Sequence, residues 1–140
     1  MNPLFRPHLY VPLLLGGQRI GWLRPELAAR LGAWKAFSAS PERVELKDPS
    51  SLAPIVEQLA KEGFIPGWRN ERYRIEVLFE IERAAARPFG LTSRAVHVNG
   101  VCGERMWLAR RSPSKPIDPN MLDNLVGGGV AAGLSVEETL

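Results

Sequence analysis

Apolar and polar positions alternate in short blocks along the first two thirds of the chain, and the period changes from block to block. Two apolar runs, Tyr10 to Leu15 and Arg19 to Leu23, flank Gly16-Gly17. That pair tolerates the positive φ angles a tight turn needs, so the spacing predicts a β-hairpin. Pro25 then stands where a first helical turn accepts proline. Leu27, Ala28 and Leu31 supply an apolar stripe, and Gly32 is placed to close a short helix. "RVELK", residues 43–47, alternates like a brief strand and runs into the turn-forming Asp48-Pro49-Ser50. The strongest helical signal is "SSLAPIVEQLAKEG". Leu52, Ile55, Val56 and Leu59 recur at i, i+3, i+4 and i+7, with Ser51 as cap, Pro54 in the first turn and Gly63 as terminator. "RYRIEVLF" puts Tyr73, Ile75, Val77 and Phe79 on one face, the period of a half-buried strand. "EIERAAARPFG" has the alanine content of a helix that stops before Pro88.

Past Ser93 the pattern changes. "RAVHVNGVCGERMWLARRS" predicts two strands, Ala95 to Val98 and Met106 to Ala109, joined by a glycine-containing turn. "PSKPIDPNMLDN", with its three prolines, predicts a surface loop, and a glycine turn follows at Gly127-Gly128-Gly129. No repeat or low-complexity tract appears, and the change of pattern places a boundary at residues 90–94.

Composition narrows the classes. A chain of 140 residues with 45% apolar content suits one domain, or a small domain and part of a second. A net charge of +3, spread evenly, is too mild for a nucleic-acid backbone, so no nucleic-acid partner is expected. Lysine occurs only at 35, 47, 61 and 115; the basic residues are otherwise arginine, the better bidentate partner for phosphate or carboxylate. The single cysteine, Cys102, has no partner for an internal disulfide and no metal-ligand spacing around it, which fits a reducing compartment. The N-terminal apolar run is broken by Pro12 and lacks the flanks of a signal peptide, and nothing approaches a membrane span. The expectation is a cytoplasmic protein without a membrane partner.

Several separated motifs then converge. Ile20-Gly21-Trp22-Leu23-Arg24-Pro25 matches "VGxLRP", Gly67 to Tyr73 matches "GWRNExY", Glu82 to Gly90 matches "ERAAAxxFG", and His97 to Gly100 matches "HxNG". With them, the chain resembles the branch of the Nudix hydrolases that carries a dedicated N-terminal domain and is described as related to thiamine pyrophosphokinase. The resemblance spans nearly the whole chain and implies an α+β architecture. An N-terminal accessory α/β domain, residues 1–93, would be followed by the first strands of an incomplete Nudix mixed sheet, residues 94–140. It implies a metal-dependent hydrolase of small-molecule diphosphates, either thiamine diphosphate derivatives or oxidised nucleoside diphosphates. Cleaving a diphosphate calls for divalent cations, and hard cations such as Mg²⁺ take clustered carboxylates. The Nudix box supplies them as glutamates one helical turn apart.

Gly127, Gly128 and Gly133 fall in the glycine-bearing part of that box, and the resemblance implies a metal ligand in the Gly127 carbonyl. Counting from Gly128, the position of the first box glutamate holds Leu134. Ser135 and Glu138 have the spacing of a capping box. Sequence ends at Leu140 before the Arg-Glu-x-x-Glu-Glu segment. The expectation is therefore the N-terminal part of a longer enzyme, with Mg²⁺ or Mn²⁺ in the complete protein and none bound here. Loss of the covering segment would leave sheet surface open to self-association.

Each candidate has a plainer alternative. Arg110, Arg111 and Lys115 stand between a strand and the glycine turn, beside the substrate in Nudix proteins. Neighbours on a strand point oppositely, so one arginine can face a phosphate; a solvated basic edge is the alternative. Glu137 and Glu138 read as first-turn residues favoured by the helix dipole rather than as ligands. His97, in an alternating strand, reads as structural. Trp68 with Arg69 could stack on an aromatic base, but a Trp after a helix and a Pro-Gly turn is expected to pack on the core. Asp123 and Asn124 would act as turn or cap residues. The rival function is a stand-alone binding module whose glycine turn only closes a sheet.

Overall fold

A computed structural model describes residues 5–115 and 118–140. The expected proline-rich loop therefore falls in part, at Pro116 and Ile117, outside the described residues, as does the start of the N-terminal apolar run. Among the described residues the architecture is mixed α+β, with several small sheets and four α-helices. The chain divides into two compact units, one up to Ser93 and one from Arg94.

In the first unit, β1 (Val11–Leu15) and β2 (Gln18–Leu23) form the predicted hairpin, with Gly16 and Gly17 at φ 58° and 77°. Helix α1 (Pro25–Leu31) carries Pro25 in its first turn and buries Leu27, Ala28 and Leu31. β3 (Phe37–Ala39) and β4 (Val44–Leu46) complete a four-stranded sheet of order β2-β1-β4-β3. Within it β1 and β4 run parallel, Leu13 opposite Val44 and Leu15 opposite Leu46. A parallel pair needs a crossover, which the intervening α1 helps to provide.

Helix α2 (Leu52–Lys61) buries Leu52, Ile55, Val56 and Leu59, the four residues of its periodic stripe. Its cap differs from the expectation. Ser51 is already helical, at φ −85° and ψ 0°, and makes no side-chain cap. Asp48, ahead of a 3-10 turn, takes that place: its Oδ1 accepts from the Ser50 N–H at 3.0 Å and its Oδ2 from the Ser51 hydroxyl. The Ser50 hydroxyl, which also donates to Oδ1, and then the Ser51 hydroxyl hold the Asp48 carboxyl below the usual aspartate range, aided by the backbone N–H. Gly63, at φ 85°, terminates the helix, with the Phe64 N–H bonded to the Leu59 carbonyl at 2.9 Å.

The single strand expected over "RYRIEVLF" is instead a hairpin of β5 (Arg72–Ile75) and β6 (Phe79–Glu82). Glu76 adopts φ 49° and the Leu78 N–H bonds the Ile75 carbonyl at 3.0 Å, so the chain reverses there. Val77, placed by alternation on the inner face, lies at the exposed tip. The alanine-rich helix is correspondingly shorter. α3 spans Arg83–Ala86, because residues 79–82 are taken by the strand and Glu82 caps the helix through its contact with the Ala84 N–H.

Two motif glycines explain each other. The Trp22 N–H bonds the Phe89 carbonyl at 3.1 Å. A Cβ at Gly21 would lie 2.3 Å from that carbonyl oxygen, and one at Gly90 would lie 2.4 Å from the Trp22 oxygen. Backbone meets backbone here, and side chains are excluded from both positions.

In the second unit, β7 (Ala95–Val98) does not pair with residues 106–109. β8 (Gly100–Cys102) and β9 (Arg105–Trp107) form their own hairpin around Gly103. β10 (Ala109–Arg110) pairs with β11 (Leu122–Asp123), and β7 pairs with β12 (Val126–Gly129). The predicted glycine turn is thus a strand. Glycine is permissive enough for either, and sequence spacing alone does not separate them. α4 (Val136–Thr139) carries the expected capping box: Ser135 Oγ accepts from the Glu138 N–H at 3.1 Å, and Glu138 Oε2 from the Ser135 N–H at 2.8 Å.

Candidate functional site

The antiparallel ladder of β7 and β12 brings the "HVNG" and "DNLVGGG" stretches together. Gly127 lies opposite His97 and Gly128 opposite Val96. A Cβ on Gly127 would sit 2.8 Å from His97 Nδ1, so glycine here makes room for the imidazole. The Val130 N–H bonds the Arg94 carbonyl at 2.9 Å. Because hydrogen-bonded and non-hydrogen-bonded pairs alternate, Gly127 and His97 form a non-hydrogen-bonded pair. The Gly127 carbonyl is therefore directed away from β7, toward the outer edge of β12. One step further, the Asn124 amide donates to Asn99 Oδ1, and a Cβ at Gly100 would meet Leu125 Cδ2 at 2.8 Å.

Asp123 ties this ladder to the arginines. Arg111 Nη1 donates to Asp123 Oδ2 at 2.7 Å, and the Asn124 N–H to Asp123 Oδ1 at 2.9 Å. The Arg111 hydrogen bond, aided by the Asn124 N–H, holds the Asp123 carboxyl below the usual aspartate range. Arg111 Nε also reaches the Asp118 carbonyl at 3.1 Å, while Arg110 Nη1 reaches the Asn120 carbonyl at 2.7 Å. Asp118 and Asn120 both have positive φ, 48° and 61°. The two guanidinium groups thus gather the far side of the loop, each taking a different carbonyl. Lys115 is exposed, with its backbone N–H bonded to the Ser112 carbonyl at 3.1 Å.

Gly133, at φ 88°, makes the turn into α4, where Glu138 is spent on its capping box and Glu137 is exposed. A Cβ at Gly128 would meet Thr139 Cγ2 at 3.8 Å, so the short helix lies against the glycine strand. Among the described residues no group of three or more His, Cys, Asp or Glu could hold a metal ion. An outward carbonyl at Gly127 suits a hard cation, but such a cation takes six or more oxygens, and these residues alone do not make that site.

A different constellation, in the first unit, escaped the sequence reading. Trp68 does not pack in the core. It is 39% exposed, its indole N–H donating to Asn70 Oδ1 at 2.7 Å. Glu82 is only 9% exposed, and its Oε1 accepts from the Arg69 N–H at 2.9 Å and the Ala84 N–H at 3.2 Å. Arg83 pairs with Glu71 and stands 5.1 Å over the Tyr73 ring. The "GWRNExY" motif is therefore a loop pinned on a buried carboxylate ten or more positions away. The only sequence signal for it was a glutamate at the start of an apolar, alanine-rich segment.

Residues 2–93 match the family described as "Domain of unknown function (DUF4743)", and the chain belongs to that family. It is 42% identical over 100 residues to "Nudix hydrolase 24, chloroplastic" of Arabidopsis thaliana, covering 64% of this chain and 27% of that protein. It is 32% identical over 154 residues to "Nudix hydrolase 20, chloroplastic" of the same plant, covering 90% and 41% respectively. A shorter match, 53% over 34 residues, joins it to a "Nudix hydrolase" of Deinococcus radiodurans, with 24% of this chain and 20% of that protein covered. The family is thus Nudix-related, and the chain spans less than half the length of these relatives. No helix among the described residues is long and apolar enough to cross a membrane.

Proposed function

We propose that this chain serves a Nudix-type hydrolase of small-molecule diphosphates. Residues 1–93 form its accessory domain, and 94–140 the first strands of its catalytic sheet. The observation that carries the reading is the 32% identity to a protein named a Nudix hydrolase across 90% of this chain, beyond the family match that ends at residue 93. The substrate class is thiamine diphosphate derivatives or oxidised nucleoside diphosphates. Arg110, Arg111 and Lys115 lie on its phosphate side. Arg110 retains donors beyond the one given to Asn120, and Lys115 offers an exposed ammonium. Mg²⁺ or Mn²⁺ would neutralise the phosphoryl oxygens, with the carboxylates supplied by the complete enzyme outside residues 1–140 and the Gly127 carbonyl at the edge of their site.

The test has two arms. Residues 1–140 alone, given Mg²⁺ or Mn²⁺ with thiamine diphosphate or an oxidised nucleoside diphosphate, are expected to release no monophosphate. Metal-dependent turnover by these residues would overturn the placement of the carboxylates elsewhere. In a full-length hydrolase carrying this segment, Arg110→Ala is expected to lower kcat/KM by about a hundredfold, the scale of removing one preorganised donor. Unchanged kinetics in Arg110→Ala, Arg111→Ala and Lys115→Ala together would leave this basic segment as solvated surface. A stand-alone binding module is the second reading, favoured by the cleft of the first unit.

A further inference from the structure

The first unit contains a cleft of about 740 Å³ between the start of α2 and the β5-β6 hairpin. Its volume is that of a small-molecule site. Leu52, Val56 and Phe79 give it apolar walls, and Trp68, Arg72 and Glu82 its functional groups. Three observations bear on what it takes.

The first is a carboxylate whose desolvation has already been met by folding. Glu82 is nine-tenths buried, with Oε1 committed to the Arg69 and Ala84 N–H groups. No donor among the described residues reaches its Oε2, and no buried side-chain oxygen or nitrogen is left without a partner, so Oε2 is open to solvent. The second is an oriented aromatic face. Elsewhere in the unit, indoles are covered by cations, Arg19 at 4.6 Å from the Trp22 centroid and Arg30 at 4.1 Å from Trp34. Trp68 has no such cover among the described residues, and its indole N–H is held by Asn70 Oδ1 at 2.7 Å, with Asn70 at φ 55°. The third is charge: Glu57 and Glu82 line the cleft with Arg72, and the third carboxylate there, Glu80, is paired with Arg74 at 3.0 Å. The Arg69 N–H to Glu82 bond also holds the residue next to Trp68 against that carboxylate.

We propose that this cleft binds a small organic cation, an ammonium or amidinium on a flat apolar body, with its charge shared between the Trp68 face and Glu82 Oε2. An indole face and a carboxylate both attract a cation, whereas an anion would meet the Glu57 and Glu82 carboxylates there. The apolar body would lie along Leu52, Val56 and Phe79. The site belongs to the first unit alone and does not depend on the hydrolase reading.

The experiment is titration of the isotope-labelled 140-residue chain with 2-phenylethylammonium, 2-phenylethanol and 3-phenylpropionate. The readout is the Trp68 indole N–H and the Arg69 and Ala84 amides. Only the ammonium is expected to shift these three resonances saturably. Glu82→Gln keeps an oxygen for both amides and removes the charge; it is expected to weaken the ammonium about tenfold, the equivalent of about 1.4 kcal/mol. Trp68→Leu, outside the core, is expected to weaken it about threefold. Equal shifts from the alcohol or the carboxylate, no saturable shift from the ammonium, or wild-type affinity in Trp68→Leu would each overturn the proposal.

Discussion

Every buried apolar side chain among the described residues lies between Val11 and Leu91; none lies from Arg94 onward. The second unit instead exposes Val101, Met106, Trp107 and Leu122 in its short strands and Leu108 and Met121 beside them. The first unit is held by a core, and the second by ladders and polar clamps: β7 with β12, β10 with β11, Arg111 with Asp123, Asn124 with Asn99. Burial is non-directional and scales with area, so it tolerates small displacements. Hydrogen-bonded clamps contribute less in water and depend on geometry. The two units of one chain should therefore respond differently to the same perturbation.

The largest difference is expected from a single type of substitution made in both. Leu59→Ala removes a fully buried side chain and is expected to destabilise the first unit by about 2–5 kcal/mol. Leu122→Ala, at 59% exposure, should stay within about 0.5 kcal/mol. Denaturant unfolding followed through resonances of each unit measures both, and comparable losses would erase the contrast. A smaller contrast comes from the close-packed glycines. Gly21→Ala drives a Cβ into a backbone carbonyl, with an expected cost of about 1–3 kcal/mol. Gly127→Ala meets an imidazole that can rotate away, so about 1 kcal/mol is expected, with the loss confined to amides of β7 and β12 in hydrogen exchange.

The smallest effect is that of pH. In the first unit the Arg30 hydrogen bonds hold Glu62 down at about 2; in the second, Arg111 holds Asp123 below its ordinary range. Both carboxyls have lowered folded-state values, so both pairs contribute fully above the ordinary carboxylate range. Both contributions are lost as pH falls through the depressed values. The Asn124 amide, bonded to Asp123, is expected to lose exchange protection on acidification while amides of α2 keep theirs, since α2 is held by its buried face as well. Simultaneous loss in both would show that the second unit does not depend on its ion pair more than the first.

Local periodicity made the first unit largely readable. The hairpin at Gly16-Gly17, the apolar stripes of α1 and α2 and the capping box of α4 all follow from residues within a few positions of one another. The reading failed where two local signals competed. "RYRIEVLF" alternates up to Val77, yet Glu76 reverses the chain so that Tyr73 and Ile81 face one another. Trp68 was expected in the core, but the preceding glycine turn and the bond to Asn70 hold it at the cleft. The contacts of Arg110 and Arg111 with the Asn120 and Asp118 carbonyls were likewise not legible, because those partners lie seven to ten positions away.

By itself the sequence determined which segments are amphipathic, where the chain can turn and which helix ends are capped, since these depend on spacing and on side-chain reach over one or two turns. Tertiary structure alone decided the partners. It set β1 parallel to β4, laid the Gly127 strand against His97 and buried Glu82 beneath the Trp68 loop. Glycine permits both turn and strand, and a glutamate suits both surface and buried cap. Which of the two is realised depends on groups brought up from distant parts of the chain, whose close approach and hydrogen bonds exist only once the fold has formed.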